Sequence, residues 1–150
     1  MDEARPCLLD RLLGARARGL TPGQYKESLA RDLEDLLNSR TALSPDLLRP
    51  YPECSRSVMN FGVADFAGMA VSSSADQARI CATVRLAVER HEPRLRHVQV
   101  SLRSRPGSVN RIDISITGVL ALPGMREAVC FNASLQPSSL HYSIQRGATA

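Results

Sequence analysis

Apolar residues recur at helical spacing in two long stretches of the chain and at alternate positions through most of its C-terminal half. The first helical stripe runs Tyr25, Leu29, Leu33 and Leu36 or Leu37, with Glu27, Arg31, Asp32, Glu34 and Asp35 on the other face. That recurrence every three to four residues predicts an amphipathic helix. Thr21 as N-cap, Pro22 at the first helical position and Gln24 three residues after the cap form a capping box, which fixes the start, and the pattern fades near Asn38. A second stripe of Ile80, Val84, Ala87 and Val88 opens at Ser74, with Gln77 at the same capping-box spacing. Pro93 ends it, because proline has no N–H to continue the ladder. Ahead of both, "CLLDRLLG" puts Leu8, Leu9, Leu12 and Leu13 on one stripe before a glycine stop, which predicts a short amphipathic docking helix.

After Pro93 the period changes to two. Val98, Val100 and Leu102 alternate with His97, Gln99 and Ser101; Ile112, Ile114 and Ile116 alternate with Asp113, Ser115 and Thr117. Val129, Phe131, Ala133 and Leu135 follow, then Leu140, Tyr142 and Ile144, with turn chemistry in "RSRPGS", "LPGMRE" and "QPSS" between them. Helices followed by strands on short turns imply an α+β domain: two main helices packed on one face of a C-terminal antiparallel sheet of about four strands, the other face polar and two strand edges open. Residues 1–20 read as an N-terminal docking segment and 21–150 as one domain. The stretch from Thr41 to Ser73 has no sustained period and several prolines and glycines, so it reads as a long ordered connection whose centre, "SVMNFGVADFAGMA", is apolar enough to pack.

Composition removes more possibilities than it adds. With 150 residues, 43% of them apolar, the chain can bury a core without disulfides or a metal. No run approaches the length of a membrane span, and the acids and arginines of "MDEARPCLLDRLLGARARG" do not make a signal peptide, so the expected location is the cytoplasm. Cys7, Cys54, Cys81 and Cys130 are scattered and form no CxxC pair; His91, His97 and His141 show no ligand spacing, which leaves no metal site in view. The net charge of +4 is spread along the chain and interleaved with acids, arguing against a nucleic-acid groove. Neither a nucleophile elbow nor a phosphate-cradling glycine loop is present, and no cofactor is implied.

One catalytic idea has content. Glycoside hydrolysis needs two carboxyl groups roughly 5 to 9.5 Å apart across a sugar. Glu92 in "HEPRL" could be one, with Asp65, Asp113 or another distant acid as the other, although a chain with no Trp, three Tyr and three Phe offers few sugar platforms. The alternative is structural. A carboxylate in the last turn of a helix meets the negative end of the macrodipole, and the residue before proline is pushed out of the α region, so Glu92 leaves the helix in search of a cation. Arg94 is one, within the chain; a neighbouring protein could supply another.

"EPRL" at a helix-to-strand junction, preceded by "RDLEDLLNSR" at 31 to 40, "SVMNFGVADF" at 57 to 66 and an opening "CLLDRLL", resembles TssE, the type VI secretion baseplate subunits of the phage gene-25 lysozyme-like family. The resemblance covers residues 7 to about 144. Asp35 stands where the family tends to have an aromatic residue, Val63 and Ala64 replace its Leu-Pro, and Ser39 replaces a common Thr; Glu92, Pro93, Arg94 and Leu95 fit unchanged. The resemblance implies a non-enzymatic protein of the contractile baseplate, at the inner membrane, that binds the wedge proteins TssF and TssG and starts polymerisation of the TssB/TssC sheath. It implies partner binding at Glu92, Pro93 and Arg94, with no membrane insertion, nucleic acid or small-molecule substrate. An open sheet edge would then accept a strand from the first sheath subunit.

Overall fold

The structure, a computed structural model, describes residues 8–12, 20–66, 69, 73–103, 113–122, 125–136 and 141–147. Helix α1 spans Leu8–Leu12, with Leu8 and Leu12 exposed; the rest of the N-terminal segment, including Leu13 and the side chain of Leu9, lies outside the described residues, as do Ile112, Leu140 and the "RSRPGS" and "QPSS" turns. Helix α2 spans Pro22–Asn38 and starts where the capping box places it: Thr21 Oγ1 accepts the Gln24 N–H at 3.3 Å, and Gln24 Oε1 accepts the Thr21 N–H at 3.0 Å. Its buried face carries Tyr25, Leu29, Leu33, Leu36 and Leu37 as the stripe predicts.

The connection that follows is described through Phe66 and again at Met69 and Ser73; residues 67–68 and 70–72, the end of the apolar stretch included, lie outside the described residues. It holds a four-residue helix α3 (Pro45–Leu48), then 3-10 turns at Cys54–Arg56 and Val58–Asn60. It returns to the end of α2 through a parallel bridge between Arg40 and Val63, in which the Val63 N–H donates to Ser39 O at 3.0 Å and the Thr41 N–H to Val63 O at 3.1 Å. Gly62 makes that return possible. It sits at φ 114°, where an added Cβ would come 2.6 Å from Ser39 O.

Helix α4 spans Ser74–His91 and buries Ile80, Val84, Ala87 and Val88. Its cap is Ser73 and not Ser74: the Ser73 hydroxyl accepts the Asp76 N–H at 3.4 Å, so the cap-to-N3 spacing falls one residue earlier than the Ser74 and Gln77 pattern implies. Beyond α4 come four antiparallel strands in sequence order, β1 (Leu95–Arg103), β2 (Asp113–Leu122), β3 (Met125–Gln136) and β4 (His141–Arg146). Ile114, Ile116, Leu120, Val129, Phe131, Ala133 and Tyr142 meet the stripes of α2 and α4 in one core, which makes the fold α+β with helices on one sheet face.

Strand β1 starts two residues earlier than its strict alternation suggests and carries a bulge between Arg96 and Gln99. His97 absorbs the extra residue at φ 53°, a left-handed position in which histidine is commoner than most residues. Leu95 and Val98, three apart, both reach the core as a result.

The sheet edges are not bare. At β4 the Tyr142 N–H and C=O both bond the side chain of Asn38, and the Ile144 N–H bonds Glu34, both residues of α2. At β1 the Leu102 backbone hydrogen-bonds the Cys81 thiol of α4, whose pKa burial raises and this bond partly lowers. Helices that lie across a sheet can shield its outward-facing backbone in this way.

Gly62→Ala should cost about 2 kcal/mol or more, because the positive φ and the Ser39 contact both oppose a side chain; a urea melt of wild type and variant measures it.

Candidate functional site

The corner after α4 begins with a helix end that proline enforces. The Glu92 N–H still donates to Val88 O at 2.8 Å, but Glu92 itself has left the α region (φ −123°, ψ 79°), as a residue before proline must. The Leu95 N–H then donates to Glu92 O at 3.2 Å, closing a turn with Pro93 at its second position, where proline's fixed φ is favoured. This fold-back turns the Glu92 side chain inward, to 5% exposure, and leaves Pro93 exposed at the tip.

Arg94 meets Glu92 there. Its Nε donates to Glu92 Oε1 at 2.6 Å, one terminal nitrogen donates to Glu92 Oε2, and its backbone N–H adds a bond to Oε1 at 3.2 Å. The same terminal nitrogen also donates to Asp32 of α2, and the guanidinium lies 5.5 Å from the centroid of the Tyr25 ring. Burial alone would lower the Arg94 pKa, but the hydrogen bonds and charges of Glu92 and Asp32 outweigh it and raise the group above its ordinary range. The Tyr25 hydroxyl is raised by burial, with Arg94 acting in the opposite direction. A fork-shaped cation with two carboxylates in reach is the geometry that makes arginine hard to replace by lysine.

His91, the last helical residue, ties the connection to the corner. Its Nε2–H donates to Asn60 O at 2.9 Å, and its ring meets Phe61 edge-on at 5.3 Å between centroids. Asn60 is buried and donates in turn to Ser55 O at 2.9 Å. Burial lowers the His91 pKa, the carbonyl partly restores it, and neighbouring Arg90 lowers it further. Between these parts lies a cleft of about 370 Å³ lined by Tyr25, Asp32, Leu36, Phe61 and Pro93 among others.

The three residues expected to form a binding site, Glu92, Pro93 and Arg94, therefore stand together, with Arg94 paired to both Glu92 and Asp32. Asp65 and Asp113 do not line this cleft; the acids beside Glu92 there are Asp32 and Asp35. The apolar periodicity puts Asp32 on the polar face of its helix. Its spacing of seven residues from Tyr25, close to two full turns, is the signal that would have placed both on one side. Asn60 carried no such signal, since its role depends on a helix that starts later in the chain. Among the described residues no group of three or more His, Cys, Asp or Glu is placed to hold a metal ion, and no helix is long and apolar enough to cross a membrane.

Arg94→Met should destabilise the fold by about 3–5 kcal/mol, since it leaves Glu92 buried without its cation, whereas the double variant Glu92→Leu/Arg94→Met should cost less than that single change; chemical denaturation of both decides. Because the His91 pKa is lowered on folding, the unfolded chain binds more protons below the ordinary value of 6.5. Stability should therefore fall as pH drops through that value towards the lower folded one, and His91→Gln should flatten this part of a melting-temperature profile.

A family model described as baseplate wedge protein gp25 matches residues 23–123. Neither the curated proteins nor the solved structures include a match to this chain. The matched span takes in α2, the connection through Val63, α4, the Glu92–Arg94 corner and strands β1 and β2, the elements that build the site. The chain belongs to the gp25 family of baseplate wedge proteins.

Proposed function

We propose that this protein is a non-enzymatic baseplate component of a contractile type VI secretion system, joining the wedge proteins TssF and TssG to the TssB/TssC sheath and providing the platform on which the sheath begins to polymerise. It works in the cytoplasm, at the baseplate beside the inner membrane, with no cofactor, nucleic acid or small-molecule substrate. The observation that carries this reading is the clamped corner. Glu92 and Arg94 lock the turn to α2 through Asp32, and Pro93 is held outward on that rigid base. A tip so fixed loses little conformational freedom when a partner packs against it. Membership of a baseplate wedge family and the residue blocks that resemble TssE support reading the partner as the wedge.

The clamp also weighs against the lysozyme-like alternative. A general acid at Glu92 would need a carboxyl able to deliver a proton to a glycosidic oxygen. Here both oxygens accept hydrogen bonds from Arg94, inside a corner that is 5% exposed at Glu92.

The same geometry decides which variant tests the interface. Charge reversal at Arg94 would set a third carboxylate beside Glu92 and Asp32 and disturb the fold, so its effect on assembly would be ambiguous. Pro93→Arg alters the exposed tip and leaves the ion pairs in place. Tagged protein carrying it should keep its melting temperature within a few degrees and lose co-purification with TssF and TssG; retention of both wedge proteins at wild-type level would sink the interface role. Purified peptidoglycan should stay turbid with wild-type protein, and clearing that Glu92→Gln abolishes would establish the hydrolase instead.

A further inference from the structure

The contacts between α2 and β4 have a regular form. Register with β3 and the bond from the Gly147 N–H to Cys130 O place His141, Ser143 and Gln145 in the ladder, so the backbone of Tyr142, Ile144 and Arg146 faces away from the sheet. Tyr142 donates its N–H to Asn38 Oδ1 at 2.8 Å and accepts from Asn38 Nδ2 at 2.9 Å, the pair of bonds that a residue of a neighbouring strand would make. Ile144 donates its N–H to Glu34 Oε2 at 2.8 Å. Asn38 and Glu34 lie one helical turn apart, with a rise of about 6 Å, while two residues of a strand rise about 6.8 Å. The two repeats nearly coincide over this length, so side chains of a helix can follow the hydrogen-bond spacing of a strand. Ala30, one turn further back, has no polar group to continue the series at Arg146.

We propose that the β4 edge is a guarded strand acceptor. Asn38 and Glu34 hold the place of a neighbouring strand, keep free copies of the chain from pairing through this edge, and are displaced when an extended segment of a protein partner adds to β4. Displacement exchanges one set of hydrogen bonds for an equivalent set, and it can start at Arg146, where the backbone series from α2 stops and the tie to the helix is an exposed ion pair with Glu27 at 3.3 Å. The partner's part in this rests on the proposed function as a platform for sheath polymerisation; the guard itself is a property of the isolated chain.

The isolated protein therefore provides the test. Asn38→Leu and Glu34→Ala remove the guarding groups, Glu34→Gln keeps an oxygen that can accept from Ile144, and Val84→Ala weakens the core of α4 away from β4. The readouts are amide exchange at Tyr142 and Ile144, oligomeric state by light scattering, and binding of a labelled peptide copy of residues 141–147 as a strand probe. Asn38→Leu should speed exchange at Tyr142 about tenfold, the factor expected for one lost hydrogen bond, and should dimerise or bind the peptide at least about tenfold more tightly than wild type. Glu34→Ala should do the same at Ile144, and Glu34→Gln should behave like wild type. If Asn38→Leu and Glu34→Ala stay monomeric with wild-type peptide affinity, or if Val84→Ala associates as strongly as they do, the guard is overturned. These results are independent of wedge co-purification, so failure of the adaptor reading and failure of the guard are separable.

Discussion

The guanidinium of Arg94 ties the corner that follows α4 to the first long helix. It sits between Glu92, on its own turn, and Asp32, on the first long helix, over the face of Tyr25. Two carboxylates so close together would repel each other in a partly buried site; the cation between them converts that repulsion into attraction. The direction in which β1 leaves α4 and the position of α2 against the corner are both tied to this one group. Such a buried pair adds little net stability compared with a well-packed apolar substitute, and its value lies in fixing one geometry.

Around that point the connection between α2 and α4 acts as a strap. Its start and Val63 are sewn together at the tail of α2 by the Arg40–Val63 bridge, and Asn60, three residues before Val63, is sewn to the tail of α4 by His91. This explains why blocks of sequence far apart, "NSR" in one and "SVMNFGV" in the other, belong together: they touch. Sheet and helices are joined in a similar way at the β4 edge, where polar side chains at the end of α2 take over the work of a missing strand.

What could be read from the residues was what is encoded locally. Capping at Thr21, the apolar stripes, the stop at Pro93 and the alternation of the strands all act over a few positions, and they sufficed for the α+β class and the main elements. The Asp32–Arg94 pair spans 62 residues, and the spacing that puts Asp32 beside Tyr25 says nothing of Arg94. The bulge at His97 adds one residue to an alternating run, and alternation alone cannot show which residue is the extra one. Asn38 looked like the point where a helix fades. Its pair of hydrogen bonds with the Tyr142 backbone, 104 residues later, becomes apparent only when the strand is in place. Glu92 leaves the helix and meets a cation as its place in the sequence predicts, because that expectation follows from the backbone cost of a residue before proline and needs no knowledge of the fold.

The short spacing of Glu92 and Arg94 has a consequence for the order in which the chain assembles. Two residues across a proline turn close a tiny loop, at small entropic cost and on the fastest timescale available to a polypeptide, whereas Asp32 must be brought in across 62 positions. The corner can thus form its own ion pair while α2 is still finding its place, and α2 docks onto a cation that is already oriented. A nucleus of local contacts that presents a ready receptor for a distant segment turns a long-range search into a binding event.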